Sequence, residues 1–480
     1  MNNLEIHFEG TTNQRSLHAL DSLNFFLADV RAGVGPFLAT YLLASLHWNP
    51  AQIGVVMSMM GIASLLAETP CGALVDAIQG KRLLIVAAAL VVGVSCTCMT
   101  IFPNFYVISA AQIFNGVAAA IFPPAIAAIT LGMVAQQEFT TRIGRNEVFN
   151  HAGNVAAAML AGTIGYILGQ QWIFYLVAII AGASAVSALL IRKDDIDYLR
   201  ARASTQTKPS GIASASSIRD LFADRNILAF AAAVTLFHFG NAAMLPLAGQ
   251  LLTRSHEAFA SINMSACIIA AQMVMIPVAF LSGKLGNTWG RKPVFLIGFA
   301  ILPIRGLLYT LSDNPFFIVC VQLLDGIGAG IFGVLSVIVV ADLTQGTGRY
   351  NLVLGAIATA QGIGASLSNL VSGYVVNAWG YNVGFLFLAC VAAVALTIYG
   401  FMMPETKEHQ DLSSASLTED EEKLSFAPLG YAPQTFSLAM NFGNNGENLN
   451  GIVNEVKALV NEPDPDSLKT FGQSIRRTLR

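Results

Sequence analysis

Gly72-Ala73-Leu74-Val75-Asp76-Ala77-Ile78-Gln79-Gly80-Lys81-Arg82 is answered later in the chain by Gly283-Lys284-Leu285-Gly286-Asn287-Thr288-Trp289-Gly290-Arg291-Lys292-Pro293. The opening glycines stand 211 residues apart, at 72 and 283. Each stretch joins one long apolar segment to the next. The sequence therefore reads as two like halves, each built from apolar segments with short polar turns between them.

Composition places those segments in a bilayer. Of the 480 residues, 54% are hydrophobic and 11% charged, with a mean hydropathy of +0.60. A soluble domain is about a quarter charged, so this chain carries less than half the usual solvating surface. The net charge of −3 gives no basic stripe for nucleic acid. The six cysteines (Cys71, Cys96, Cys98, Cys267, Cys320 and Cys390) all fall in apolar segments. Their spacing matches neither a metal site nor a disulfide framework, and packing is the role expected of them. The polar start, Met1 to Ser22, lacks the apolar core of a cleavable signal peptide.

A helix needs ~20 mostly apolar residues to cross the hydrocarbon core, and twelve such segments can be placed. Six run over 23–46, 51–75, 82–102, 105–133, 144–169 and 171–191. Six more run over 226–252, 258–283, 293–311, 315–341, 350–377 and 381–403. The expected fold class is all-α integral membrane, with two pseudo-symmetric six-helix bundles at 23–191 and 226–403. Residues 1–22 form an N-terminus and 192–225 a polar linker rich in Ser, Thr, Gly and Pro. Residues 404–480 form a tail expected to be largely disordered, with a short amphipathic helix expected from Asn448 to Val460. Arg254 is the one basic residue in the short loops of one side. The other side holds Arg15, Lys81, Arg82, Arg142, Arg145, Lys284, Arg291, Lys292 and Arg349, with seven more in the linker. Cytoplasmic loops carry the basic excess. Both termini and the linker are therefore expected in the cytoplasm, and the chain in a bacterial inner membrane.

With this span count, the paired loop motif resembles the major facilitator superfamily. The family's hallmark between spans two and three reads Gly-x-x-x-Asp-(Arg/Lys)-x-Gly-(Arg/Lys)-(Arg/Lys). Gly72, Asp76, Gly80, Lys81 and Arg82 match it, with one residue inserted and Ala77 at a position that is usually basic. Gly283, Gly290, Arg291 and Lys292 repeat it between spans eight and nine, with Asn287 in the aspartate position. The resemblance covers roughly residues 20–404. It implies that two bundles rock around a central cavity lined by spans one, four, seven and ten. It also implies a gating role for the loop motif, with Asp76 pairing to a basic residue across the two halves in one state. Gln112-Ile-Phe-Asn115-Gly116 and Gln322-Leu-Leu-Asp325-Gly326 are a second echo, 210 residues apart, as are Pro36 and Pro246. Many proton-coupled members have an arginine where Gln112 stands. Ala161-Gly162-Thr163-Ile164-Gly165 lacks the proline usual in the antiporter-type span five.

Ionisable groups inside a span are expensive and mark candidate sites. Asp29 and Arg31 lie in span one, Glu68 in span two, His238 in span seven, Arg305 in span nine and Asp325 in span ten. Asp29 and Arg31 diverge by ~200° on a helix of 3.6 residues per turn, so they serve different neighbours. Asp29, His238 and Asp325 are candidate proton carriers, since a histidine changes charge near neutral pH. Arg31 and Arg305 are candidate partners for a carboxylate. Glu68, two residues before Pro70, is expected near the cytoplasmic gate. Gln112, Asn115, Asn150, Asn154, Asn241, Gln322 and Gln361 are candidate lining residues, with His151 and Gln272 as further polar groups in spans. Each alone is as well read as an interhelical hydrogen bond of ~1 kcal/mol. Pro36, Pro123, Pro124, Pro246 and Pro277 are expected to kink or break their spans.

Gly328-Ala-Gly330-Ile-Phe-Gly333 matches a dinucleotide fingerprint only as a string. No strand precedes it, so helix packing is its expected role. With no Walker loop, nucleophile–base pair or metal cluster in the sequence, the chain reads as neither an ATP-driven pump nor an enzyme, and it needs no cofactor. The expected function is secondary transport of a small organic solute, coupled to protons and directed outward, by a monomer. The alternative is proton-coupled uptake of an organic anion or siderophore-like compound. A second alternative is a membrane receptor that signals through its tail.

Overall fold

A computed structural model of the chain describes residues 13–134, 138–198, 224–345, 347 and 349–407. No strand occurs among them. The helices are α1 (Gln14–Val30), α2 (Pro36–Ala44), α3 (Pro50–Ala77), α4 (Lys81–Ile101), α5 (Phe105–Met133), α6 (Phe139–Ile167) and α7 (Gln171–Leu190) in the first half. The second half has α8 (Arg225–Ala242), α9 (Met244–Ser255), α10 (Ala260–Thr288), α11 (Arg291–Leu308), α12 (Pro315–Leu343), α13 (Tyr350–Trp379) and α14 (Tyr381–Met402). Spans one and seven are each broken in two, so the fourteen α-helices of the described residues make twelve spans. Helices are what a bilayer permits, because only they satisfy every backbone N–H and C=O within one segment. Eight helical stretches are long and apolar enough to cross on their own; the other spans are broken, shorter or more polar. By backbone proximity the chain divides into residues 1–438 and 439–480. The second unit, and with it the helix expected at Asn448 to Val460, lies outside the described residues, as do 199–223 of the linker.

The packing repeats between halves. A methyl group on Gly116 of α5 would collide with the Met60 carbonyl of α3, and one on Gly326 of α12 with the Ala271 carbonyl of α10. Gly153 of α6 lies as close to the Phe25 carbonyl of α1 as Gly364 of α13 does to the Thr235 carbonyl of α8. These pairs stand 210 or 211 residues apart, the interval of the two loop motifs. Small residues let membrane helices approach backbone to backbone, where lipid offers no hydrophobic drive to association. Gly330 of the fingerprint-like string has the same role, 2.8 Å from the Met275 carbonyl at its would-be Cβ. One hydrophobic core gathers residues between Ala19 and Ile196 with Met264 of α10. A second gathers residues between Ala229 and Met403.

Two sequence expectations are corrected. Span one begins at Gln14 rather than at residue 23, because Asn13 caps it by accepting the Arg15 N–H at 3.0 Å. The polar first turns are then held from the side. Buried Asp21 accepts from Arg142 at 2.7 Å and from Arg145 at 2.7 and 3.1 Å, both on α6. Prolines prove milder than expected: α5 runs unbroken through Pro123 and Pro124, and α10 through Pro277. Only spans one and seven, with Pro36 and Pro246, are interrupted. Gly33 and Gly35 take φ of 59° and 54° in the first break, a conformation costly for a residue with a Cβ. At the second, Ser368 Oγ inserts into the helix ladder, donating to the Phe239 carbonyl at 2.5 Å and accepting from Ala243 N–H at 3.0 Å.

Close glycine approach leaves no room for a branched side chain. Gly116→Val and Gly326→Val are each expected to cost ~1–3 kcal/mol, the usual price of overpacking. Gly72→Val, where a methyl would meet nothing within 4 Å, is expected to be neutral. Thermal unfolding of the detergent-solubilised proteins, followed by size-exclusion fluorescence, measures all three.

Candidate functional site

Both helix breaks open onto one cavity of about 270 Å³, lined in part by Gly35 and Pro36 from the first break and by Asn241, Ala242 and Pro246 from the second. Met57 of α3 and Asn369 of α13 add to the wall, and its charged groups are Arg305 and Asp325. Arg305 is 2% exposed and ion-paired to Asp325 through one guanidinium nitrogen. A second nitrogen donates to Asn241 Oδ1 at 2.5 Å, and Nε approaches the Met244 sulfur at 3.3 Å. The other Asp325 oxygen accepts from Gln322 Nε2 at 3.0 Å, and Gln322 accepts from the Tyr309 hydroxyl. Spans seven, nine and ten thus form one closed network. Arg305, a residue of span nine, joins the cavity because Asp325 and Asn241 draw its long side chain inward.

The first half is organised differently. Asp29 meets no cation and no hydrogen-bond donor among the described residues. The Cys96 thiol of α4 lies within its electrostatic reach. Asn115, fully buried, donates to Gln112 Oε1 at 3.4 Å. Arg31 closes α1, and its Nε is buried without an acceptor. The acid acting on it is Glu147 of α6, beyond ion-pair distance, which accepts from Asn150 Nδ2 at 3.2 Å. His151 Nδ1 meets Gln272 Oε1 of α10 at 2.8 Å, a hydrogen bond between the two halves.

Other sequence candidates lie elsewhere. His238 bonds the Val234 carbonyl at 3.0 Å and stands edge-on to Phe332 at 4.6 Å, inside an aromatic cluster rather than on the cavity wall. Asn154 and Gln361 are half-buried, with no side-chain hydrogen bond to described residues. Glu68 is exposed on α3. Three contributors were not singled out from the sequence: Glu147, Tyr309 and Asp21. Glu147 and Tyr309 carried the signal of an ionisable or hydroxyl group in a span, whereas Asp21 stood in the expected N-terminal segment and only folding brings it into span one.

The two loop motifs share one end of the bundle, called here the basic face. Lys81 Nζ donates to the Val75 carbonyl at 2.5 Å, and Arg82 to the Ile191 carbonyl. Asp76 is exposed, without an ion pair among the described residues. In the second copy Arg291 donates to Asp342 at 3.2 Å, to the Gly286 carbonyl at 2.8 Å and to Asn287 Oδ1 at 2.8 Å. Glu405, just past α14, caps α11 by accepting the N–H groups of Arg291 at 2.8 Å and Lys292 at 3.0 Å. Partial burial works to raise the Glu405 pKa, but these bonds and those from Lys407 and Thr406 N–H outweigh it and hold the carboxyl below its usual range.

Close approaches between the halves are marked by glycines and serines. A methyl on Gly373 would sit 2.6 Å from the Pro50 carbonyl, and one on Gly165 2.5 Å from Ser261 Oγ. Ser265 Oγ also donates to the Ala158 carbonyl at 2.5 Å. At the basic end, Gly72 of α3 and Gly355 of α13 have nothing within 4 Å of such a methyl. The pairs of Asp21 with Arg142 and Arg145, of Arg291 with Asp342 and of Arg305 with Asp325 each lie within one half.

The sequence profile of the Major Facilitator Superfamily matches residues 20–287 and 256–445. The chain belongs to that superfamily, and with it to the multi-pass membrane transporters of small molecules. It is 49% identical over 392 residues to an uncharacterized MFS-type transporter of Mycobacterium tuberculosis, covering 82% of this chain and 94% of that one. An MFS antiporter of Candida albicans is 24% identical over 179 residues, 36% of this chain and 24% of that one. Among solved structures, the nucleoside transporter NupG superposes with a TM-score of 0.67 at 16% identity, covering 81% of this chain and 98% of that one; this likeness shows the fold alone.

Two outcomes follow from these contacts. Asp325→Asn leaves Arg305 charged and buried without its counter-ion and is expected to cost ~3–5 kcal/mol, whereas Arg305→Met with Asp325→Leu is expected to be better tolerated; thermal unfolding of the three proteins checks this. Glu405→Ala is expected to cost ~1 kcal/mol, as loss of a helix cap does. Because the folded-state pKa is lowered, the wild-type advantage is full above the ordinary glutamate value of about 4.3 and is lost as pH falls through the lower folded value. Unfolding midpoints measured from pH 7 down to 3 follow that convergence.

Proposed function

We propose that this chain is a proton-coupled secondary transporter that exports a small organic solute by alternating access. The helices α1 to α7 and α8 to α14 act as the two moving bundles, with the polar chain between them as their linker. The observation that carries the reading is the shared cavity at the two helix breaks, walled by the Arg305–Asp325–Asn241 network. Discontinuous helices at the interface of two repeats are where membrane transporters place their sites. The loop motifs define a basic face at one end of the bundle, and loading is assigned to that side. The basic loops there favour a cytoplasmic placement, with both termini cytoplasmic in a bacterial inner membrane.

Coupling is assigned to Asp29. An ionised carboxylate in the hydrocarbon, with no cation beside it, is costly; a proton neutralises it in one state and leaves in the other. Asp325 is the poorer carrier, because Arg305 already neutralises it. Asp76, exposed here, takes a basic partner across the two halves when the basic face closes. The monomer suffices, since the cavity is built from one chain.

Small molecules inside and outside cells that lack or overproduce the chain test this function. A compound that builds up inside deletion cells and outside overproducers is expected. Asp29→Asn, expressed at normal level, is expected to abolish the uphill gradient of that compound while sparing downhill exchange; an unchanged gradient removes Asp29 from the coupling scheme. Unaltered pools in both strains would instead favour a receptor that signals through its tail.

A further inference from the structure

We propose, resting on the transport reading above and adding the substrate class to it, that the solute is a small uncharged compound with hydroxyl or amide groups along one edge and an apolar face opposite. The polar edge docks on Asn369, Asn241 and Asp325 in the shared cavity, and the apolar face on Pro36 and Met57.

The charges of the cavity wall are already balanced. Arg305 and Asp325 line it together and pair with each other, so the lining carries no net charge. Arg305 is 2% exposed and Asp325 21%, so the carboxylate is the side of the pair that meets the open space. An anion there would have to take Arg305 from Asp325, and a buried charge deprived of its partner is costly. A cation beside Asp325 would meet a carboxylate that Arg305 has neutralised, with Arg305 itself repelling it. Either ion would leave water without a counter-charge to receive it. An uncharged solute meets neither cost.

Hydrogen-bonding capacity is what the wall has left over. An ionised carboxylate has about four acceptor sites. One Asp325 oxygen accepts from Arg305 and the other from Gln322 Nε2 at 3.0 Å, so each keeps a further lone pair. The Asn241 carbonyl is taken by Arg305 at 2.5 Å, while its amide N–H groups bond no described residue. Asn369 of α13 makes no side-chain hydrogen bond to a described residue, so its carbonyl and both N–H groups are unused. Hydroxyl and amide groups donate and accept at once, which matches acceptors and donors set side by side.

The two sides of the cavity differ. Its polar side chains all belong to the second half: Asn241 on α8, Arg305 on α11, Asp325 on α12 and Asn369 on α13. The first half supplies Gly35, Pro36 and Met57, none with a polar side chain. A solute polar all round would bury unmatched groups against Pro36 and Met57, whereas an apolar face is favourably buried there. The volume of about 270 Å³ falls just below the ~300–1,000 Å³ of ordinary ligand sites, which limits the solute to a small one.

The test uses the full chain in cells, comparing solute pools with wild type, Asn369→Leu and Asn369→Ser at matched, folded expression. Asn369 bonds no described residue, so Asn369→Leu is expected to keep the wild-type unfolding midpoint in detergent, and a change in flux then reads the solute contact. Under the proposal, the compound redistributed by wild type is uncharged at neutral pH and bears hydroxyl or amide groups. Asn369→Leu is expected to lower its flux at least ~10-fold, the size of about 1.4 kcal/mol, and Asn369→Ser to keep an intermediate rate through its one hydroxyl. Redistribution of an anion, a cation or a zwitterion overturns the uncharged assignment and leaves transport standing. Equal flux through Asn369→Leu overturns the docking role. No redistribution by wild type overturns the transport reading and this inference with it. Should Asn369→Leu fail to fold, the charge of the wild-type solute and the Asn369→Ser rate still decide.

Discussion

A charge in the hydrocarbon has no water to turn to, and the arrangement of this protein follows from how each such charge is met. Arg142 and Arg145 fasten α6 to the first turns of α1 through Asp21. Arg305 and Asp325 fasten α11 to α12 and draw Asn241 of the broken span seven into the same network. Where a charge is met within one half, it makes that half rigid. Asp29 and Arg31 are met by no ion pair, and both lie at the end of α1, where the first span comes apart. The first span therefore comes apart beside two charges that no ion pair holds.

The halves are assembled by the same means twice. Gly116 and Gly326, and Gly153 and Gly364, bring backbones into contact at equivalent places. Between halves the contacts given are close approaches and neutral hydrogen bonds: Gly54 and Gly373, Gly165 and Ser261, Ser265 and the Ala158 carbonyl, His151 and Gln272. Such contacts hold by shape rather than by charge, so they separate without leaving a buried ion unpaired. Within each half the ion pairs resist separation.

Much of this was legible in the residues. The twelve apolar segments, the twofold repeat and the cluster of ionisable groups in spans one, seven, nine and ten follow from composition and interval. Pro36 and Pro246 stood at matched positions, and those two spans are the interrupted ones. Pro123, Pro124 and Pro277 carried the same local signal and did not break their helices. A proline removes one hydrogen bond wherever it stands; whether the helix opens depends on neighbours that can receive the freed groups. Ser368, 122 residues beyond Pro246 in sequence, is such a neighbour.

The sequence by itself determined that the chain is helical, that it spans a membrane, and that it is built as two like halves. These properties follow from local hydropathy, the cost of an unsatisfied backbone in lipid, and an interval that can be counted. It also named Asp29, Arg31, Arg305 and Asp325 as charges in need of explanation. Only the tertiary structure decided which of them are answered: Arg305 by Asp325, Arg31 by nothing within reach, His238 by a carbonyl of its own helix. Electrostatic pairing acts over a few ångströms in space and is indifferent to distance along the chain. A sequence can therefore list its charges, while only the fold shows which of them meet.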